Sequence, residues 1–410
     1  MTVPAEKSIC LGTKARCLEE ELLLRSCHIL RDSVVAEAIG TLLQEDVDWK
    51  RLLRLAAEHR MMPLLHWHLS AAPSELVPRD VLNRLQSHFH ATHLRNLSVT
   101  GELLRLVRTF REQHVPLMPY KGPVLASLAY GNLALREFID LDILVRKRDI
   151  PEARQLLVST GYRQIDSPTS DYEAAFLQSQ REYVFIRDGT VVELHWAVTP
   201  RNYSFPLDPE GLWERLQQVP LGGEKVSTFS MEDLLLILCV HGSKHFWHRL
   251  AWICDVAELL RTHAAIDWEQ LVYQADKLGS RRMLFLGLLL ANDLLEAPLP
   301  EKVSRMVRAD PKTAALARQV REWLFQEPDG ASSILAKGQL DESRFHPFRV
   351  RMRERLRDKI RYAARTALVP TLDDWQYLRL PNFLFFLYYL VRPIRLIVRY
   401  GQRLLERTDQ

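Results

Sequence analysis

The chain has little cysteine and no pair spaced as C-x-x-C: Cys10, Cys17, Cys27, Cys239 and Cys254 are odd in number and scattered. That argues against a disulfide scaffold or a cysteine zinc site, and makes a reducing cytoplasm the expected setting. No run of 18 or more apolar residues occurs, so no membrane-spanning helix is expected. The opening MTVPAEKSIC lacks the charged-then-apolar order of a signal peptide. Sixteen glycines and 21 prolines show no bias towards low complexity or disorder. A net charge of +4 over 410 residues does not by itself argue for a nucleic-acid partner. No convincing internal repeat is present.

What remains is a globular composition, 47% hydrophobic and 26% charged, in a length that suits two or three domains. Residues 1–112 read as a helical region. WKRLLRLAAEHRMMPLLHWHLS (49–70) groups Leu52, Leu53, Leu55, Ala56 and Ala57 on one side, and 93–115 repeats the helical spacing with basic residues opposite. Residues 113–226 read as a small α/β core. VPLMPY (115–120) is a short buried strand ending in a Lys-Gly-Pro turn, and VLASLAYGN (124–132) is a helix stopped by Gly131 and Asn132. DLDILV (140–145) is a strand, and 149–162 is a helix with an Asp cap, Pro151 in its first turn and Gly161 at its end. REYVFIRDGTVVELHWAV (181–198) is a hairpin about Asp188-Gly189. Residues 227–340 are again helical. A tail, 341–410, carries a basic helix at 349–366 and the apolar run FLFFLYYLV at 383–391. The expected fold class is α+β, mostly helical, with a small mixed sheet flanked by helical regions.

The strand 140–145 poses the chemical question. Asp140 and Asp142 alternate with Ile139, Leu141 and Ile143 in an otherwise apolar run. Residues i and i+2 of a strand share a face, so both carboxylates project together, about 7 Å apart at Cα. Paired carboxylates repel and raise each other's pKa, a cost that a divalent cation such as Mg²⁺ removes. Glu193 lies mid-strand between Val192 and Leu194, in a hairpin expected to pair beside Asp140. Three acids on neighbouring strands can hold two metals about 3.5–4 Å apart. An isolated Asp-x-Asp is a weak signal that usually marks a surface loop. Its mid-strand place, with a later acid in strand, makes it stronger.

The order KGPVLASLAYGN, LREFIDLDILV, ARQLLVSTGY and VVELHWAV resembles the nucleotidyltransferase superfamily that includes DNA polymerase beta. More closely, it resembles a bacterial family of uncharacterised nucleotidyltransferases, and the similarity extends over roughly 45–402. The resemblance implies transfer of a nucleoside monophosphate from a nucleoside triphosphate, ATP or another, to an acceptor, with Mg²⁺ or Mn²⁺ as cofactor. It implies Asp140, Asp142 and Glu193 as metal-binding and catalytic acids. It places Gly122 where backbone approaches phosphates at a helix N-terminus, with Lys121 adding charge and Arg136 touching phosphate. From the later helical region it assigns Lys244, and with it His241 and His245, to the cleft. Many members of the superfamily carry Gly-Gly or Gly-Ser in the turn and Ser or Thr two residues before the first Asp. Here Gly122-Pro123 and Phe138 stand in those places, and Pro123 has no N–H to offer a phosphate.

His241 and His245, four apart, share a helix face, but the Glu of a metalloprotease motif is missing, so catalytic zinc is disfavoured. Asp255 suits an arginine partner as well as the cleft. The arginines of 349–361 read first as a solvated helix face. The other readings are a site for RNA or for an anionic membrane surface, where the short apolar run 383–391 would lie in the interface plane or pack back on the helices. Two functions compete with catalytic transfer to an unidentified acceptor: a nucleotide-binding module without turnover, and a toxin-type transferase acting on tRNA or protein.

Overall fold

The computed structural model describes residues 17–165, 173–203, 205–326, 346–378 and 380–408. Seven strands among them form two sheets. They are β1 (Met118–Pro119), β2 (Asp140–Leu144), β3 (Arg163–Ile165), β4 (Glu182–Arg187), β5 (Thr190–His195), β6 (Leu216–Leu221) and β7 (Glu224–Phe229). The main sheet runs β1-β2-β5-β4-β3, and β6-β7 is a separate hairpin. β2 and β5 are parallel, while the other main-sheet pairs are antiparallel. The sheet is therefore mixed, as expected.

The β4–β5 hairpin follows from its loop. Asp188 and Gly189 both take positive φ, the conformation of a tight primed turn whose twist matches the strands. That loop pairs Arg187 with Thr190 and so places Glu182 opposite His195. Alternation then divides the sheet. Leu141, Ile143, Tyr183, Phe185, Val192 and Leu194 point into a core shared with Val99–Phe110 of the long helix Arg79–Glu112. Asp140, Asp142, Glu193, His195 and Glu182 point to the other face.

A second core unites the helices before the sheet with those after it, from Leu22 to Leu85 and from Phe229 to Met352. The 49–70 stretch is two helices, Trp49–Glu58 and Met62–Leu69, broken at Arg60, whose φ is +58°. The 231–263 stretch is likewise two, Met231–Lys244 and Leu250–Thr262. Hydrogen bonds to His59 lock these breaks together. Leu250 N–H donates to His59 Nδ1 (3.2 Å) and Ala251 N–H to the His59 carbonyl (3.3 Å).

The basic segment departs from expectation. Instead of one helix over 349–366 there are two, His346–Arg351 and Leu356–Leu368. Between them Arg353 is buried, its guanidinium 3.8 Å from the Tyr362 ring centroid. The hydrophobic period was disrupted by a charge that stacks inward. The apolar run leads through a 3-10 turn, Asn382–Leu387, into the helix Tyr388–Thr408. Tyr388 packs back into the sheet core with Trp375 and Phe385. The β6–β7 hairpin was not read from the sequence, although Gly222-Gly223 between two alternating runs signals it.

Candidate active site

Asp142 and Glu193 are register partners in the parallel β2–β5 pair, as Asp140 and Val191 are one period earlier. Asp142 is buried; Asp140 and Glu193 are partly exposed. The expected acids therefore meet on one face of the sheet. His195, two residues beyond Glu193, joins them. Its Nε2 lies 3.1 Å from Asp142 Oδ1 and 3.3 Å from Glu193 Oε2, and its Nδ1 lies 2.9 Å from Glu182 Oε2. Single ligand atoms of Asp142, Glu193 and His195 fall within 4.8 Å of one another, a spacing that suits one metal ion.

Lys121 is at the site too, its Nζ donating to Asp142 Oδ1 at 3.0 Å. Gly122 beside it has φ +53°, and a Cβ there would sit 3.2 Å from the Asp140 carbonyl. Glycine is required for that turn on both counts. The element after it is short: one turn, Gly122–Leu125, runs into a π-helical turn, Ala126–Tyr130.

The acids differ electrostatically. Burial, then Asp142 and Glu193, raise the Asp140 carboxyl to about 6. Burial also works to raise Asp142, but Lys121 and His195 more than reverse it and hold that carboxyl well below the usual range. Burial opposes charge on His195, yet Glu182 and the bonds to Asp142 and Glu193 raise it to about 10. A protonated His195 sits among three carboxylates, and its Nε2 could ligate a metal only after losing that proton. Asp140 is the exception: its carboxylate has no hydrogen bond or ion pair among the described residues. A carboxylate without a hydrogen bond among the described residues beside two others offers hard oxygen donors that fit a divalent metal ion.

His241, Lys244 and His245 line the same side. The two imidazoles are 4.7 Å apart and both pack on Trp252. Burial and the neighbouring Lys121 push His241 well below its ordinary value, and burial and Lys244 do the same to His245. Burial and Arg181 bring Lys244 down to about 7, although Glu182 works the other way. Arg136 also feels the Asp140 charge, and its guanidinium is held by a second carboxylate. Its Nε and Nη2 donate to Asp255 at 2.7 and 2.9 Å, and the Tyr130 hydroxyl donates to the same carboxylate at 2.9 Å. Asp255 thus takes the arginine partner.

Five residues at the site were not singled out from the sequence: His195, Glu182, Arg181, Arg60 and Arg249. The first follows from the alternation that picked Asp140 and Asp142, and Glu182 from the hairpin register; Arg181, just before the strand, is placed there by its charge neighbours Glu182, Glu193 and Asp142. Arg60 and Arg249 arise from the locked breaks, since His59 bonds to Leu250 and Ala251 bring the residues flanking that contact together. Both are partly buried and feel the charge of Asp140, and neither reaches a carboxylate at ion-pair distance among the described residues.

Residues 45–296 match the family described as uncharacterised nucleotidyltransferase. The chain belongs to that family. The Asp-x-Asp strand, Glu193 and the Lys244 helix all lie inside the matched span. No curated protein matches the chain. One similar solved structure is a crystal structure of ANT(2")-Ia in complex with adenylyl-2"-tobramycin, at 12% identity. It covers 51% of this chain and 97% of that one with a TM-score of 0.26, a likeness too slight to carry inference.

Proposed function

We propose that this nucleotidyltransferase-family chain moves a nucleoside monophosphate from a nucleoside triphosphate to an acceptor hydroxyl, phosphate or amine. Asp140, Asp142 and Glu193 would hold Mg²⁺ or Mn²⁺. The observation that carries the reading is the Asp140 carboxylate, which has no hydrogen bond or ion pair among the described residues, beside Asp142 and Glu193, with Arg60 and Arg249 close enough to feel its charge. A bound cation would supply charge neutralisation for the triphosphate.

The chain's own residues position the rest. Lys121, Lys244, Arg60 and Arg249 would supply positive charge to the phosphates. His241, His245 and Trp252 form an uncharged wall that keeps water from the phosphates. In the transfer, the acceptor atom bonds to the α-phosphorus and the bond to the bridging oxygen breaks. Pyrophosphate leaves with that electron pair, while Glu193 takes the acceptor proton. Orientation and charge provide most of the acceleration in such chemistry.

The test is transfer of label from α-phosphorus-labelled nucleoside triphosphates to material in a dialysed cell extract. Label fixed by the wild type and not by Asp140→Asn supports transfer. Equal labelling by both excludes it. One observation favours a second reading, a nucleotide-binding protein without turnover: Lys121 and His195 both occupy Asp142 Oδ1. Metal-dependent triphosphate binding with no labelled product would support that reading.

A further inference from the structure

We propose that the C-terminal helices form a docking surface for an anionic lipid bilayer. The observation is where exposed apolar side chains fall. Of 18 large apolar residues exposed among the described residues, ten lie between Leu356 and Val398. On the helix Tyr388–Thr408, Leu390, Ile394, Ile397 and Val398 recur at i, i+4, i+7 and i+8, and Phe386 precedes them. Leu390, Ile394 and Ile397 are 61%, 62% and 72% exposed. This is one helix face. The opposite face is occupied. Tyr388 is buried, and Arg392 and Arg395 donate to Asp374 at 2.9 and 2.5 Å. The helix is thus fixed to the protein on one side and offers a row of aliphatic groups on the other.

The helix Leu356–Leu368 is tied to it, with Arg392 Nε donating to the Thr366 carbonyl at 2.8 Å. It too exposes apolar side chains, Leu356 and Ile360, with Arg357 and Arg361 beside them, each 3.8 Å from Asp358 Oδ1. Charge selects the occupant. Residues 346–408 hold 14 Lys and Arg against five Asp and Glu, a net of +9, while the whole chain is +4. Everything outside that segment is therefore net acidic. Exposed apolar groups on a net-basic segment match the boundary between acyl chains and anionic headgroups. RNA fits less well, because the exposed row is aliphatic and offers few rings for base stacking. A second copy fits less well, because two such basic surfaces repel. No helix among the described residues is long and apolar enough to cross a membrane, so this one would lie along the surface.

The experiment is cosedimentation of the full chain with vesicles of phosphatidylcholine alone or mixed with phosphatidylglycerol. The expected result is binding to the mixed vesicles, weakened when salt rises from about 0.1 M to about 0.5 M. Ile394→Glu/Ile397→Glu should lower the affinity at least about tenfold. Both side chains are exposed, so an unchanged melting temperature is expected and checks the fold. The proposal is overturned by absence of binding to the mixed vesicles, by equal binding to neutral ones, or by undiminished binding of the double variant. It is also overturned if that variant instead abolishes dimerisation or RNA retention while the wild type ignores vesicles.

Discussion

Asp142 on β2 and Glu193 on β5 are register partners in a parallel ladder, and the imidazole of His195 reaches both. Parallel pairing puts their side chains on one face at adjacent strands, a separation near the 4.8 Å strand spacing. The sheet itself therefore assembles the acids, and the loops need only leave them accessible.

Asp140 should be a residue that function keeps at the expense of stability. Its carboxyl is raised from the ordinary 3.8 to about 6. Between those values the folded chain holds a proton that the unfolded chain has lost. Stability from the protonated form is thus present below about 4 and lost as pH rises through about 6. Asn never ionises, so Asp140→Asn should be more stable than wild type at pH 7.5, on the order of 2 kcal/mol, and less so at pH 5. Thermal melts at both pH values check this, and a variant that melts lower at pH 7.5 contradicts it.

His195 should behave as a substitute cation. Removing it leaves Asp142, Glu182 and Glu193 facing one another, a loss of about 3–5 kcal/mol for a broken buried charge cluster. Millimolar Mg²⁺ should return part of that stability in His195→Gln and add less to the wild type. Urea unfolding with and without Mg²⁺ measures both. Equal gains in the two proteins would show that His195 does not stand in for a cation.

The two arginine classes should separate. Arg136 is committed to Asp255, so Arg136→Gln should lower stability by about 3–5 kcal/mol by stranding a buried carboxylate. Arg60 and Arg249 have no such carboxylate partner among the described residues, so Arg60→Gln and Arg249→Gln should leave the melting temperature nearly unchanged. They should weaken triphosphate binding about tenfold or more, the worth of one charge-assisted contact. Unfolding and nucleotide titrations on all three variants decide. Wild-type affinity in both Arg60 and Arg249 variants would remove these residues from the site.

Lys244 should take up a proton when a triphosphate binds. Burial and Arg181 lower it to about 7, so at pH 8 much of it is neutral, and an anion nearby restores the charge. Calorimetry at pH 8 in buffers of different ionisation enthalpy should show net uptake that Lys244→Met abolishes. The amine also shapes stability. From about 7 up to its ordinary 10.5 the unfolded chain binds the extra proton, so its contribution to stability rises with pH across that window. Identical proton counts in wild type and variant would exclude Lys244 from the phosphates.

The local rules made much of this site readable. Alternation picked out Asp140 and Asp142, and the Asp188-Gly189 turn marked the hairpin that carries Glu193. The same two rules reach His195 and Glu182, since His195 is two residues beyond Glu193 on its face and Glu182 is its hairpin partner. Arg60 and Arg249 were beyond such rules. They are 189 positions apart and meet only because His59 bonds to the start of the helix Leu250–Thr262. Arg353 misled in another way: its charge marked it as surface, while the rings of Tyr203 and Tyr362 give the guanidinium an interior place. Its neighbours therefore break into two helices.

The central claim is that Asp140 and Asp142 hold a metal-bound triphosphate. Its most direct test is calorimetric titration of each of the four nucleoside triphosphates, with and without Mg²⁺, into wild type and Asp140→Asn/Asp142→Asn. Binding of at least one triphosphate that requires Mg²⁺ and disappears in the double variant is the expected result. Binding that ignores Mg²⁺, or that survives in the double variant, would contradict it, as would no binding of any of the four.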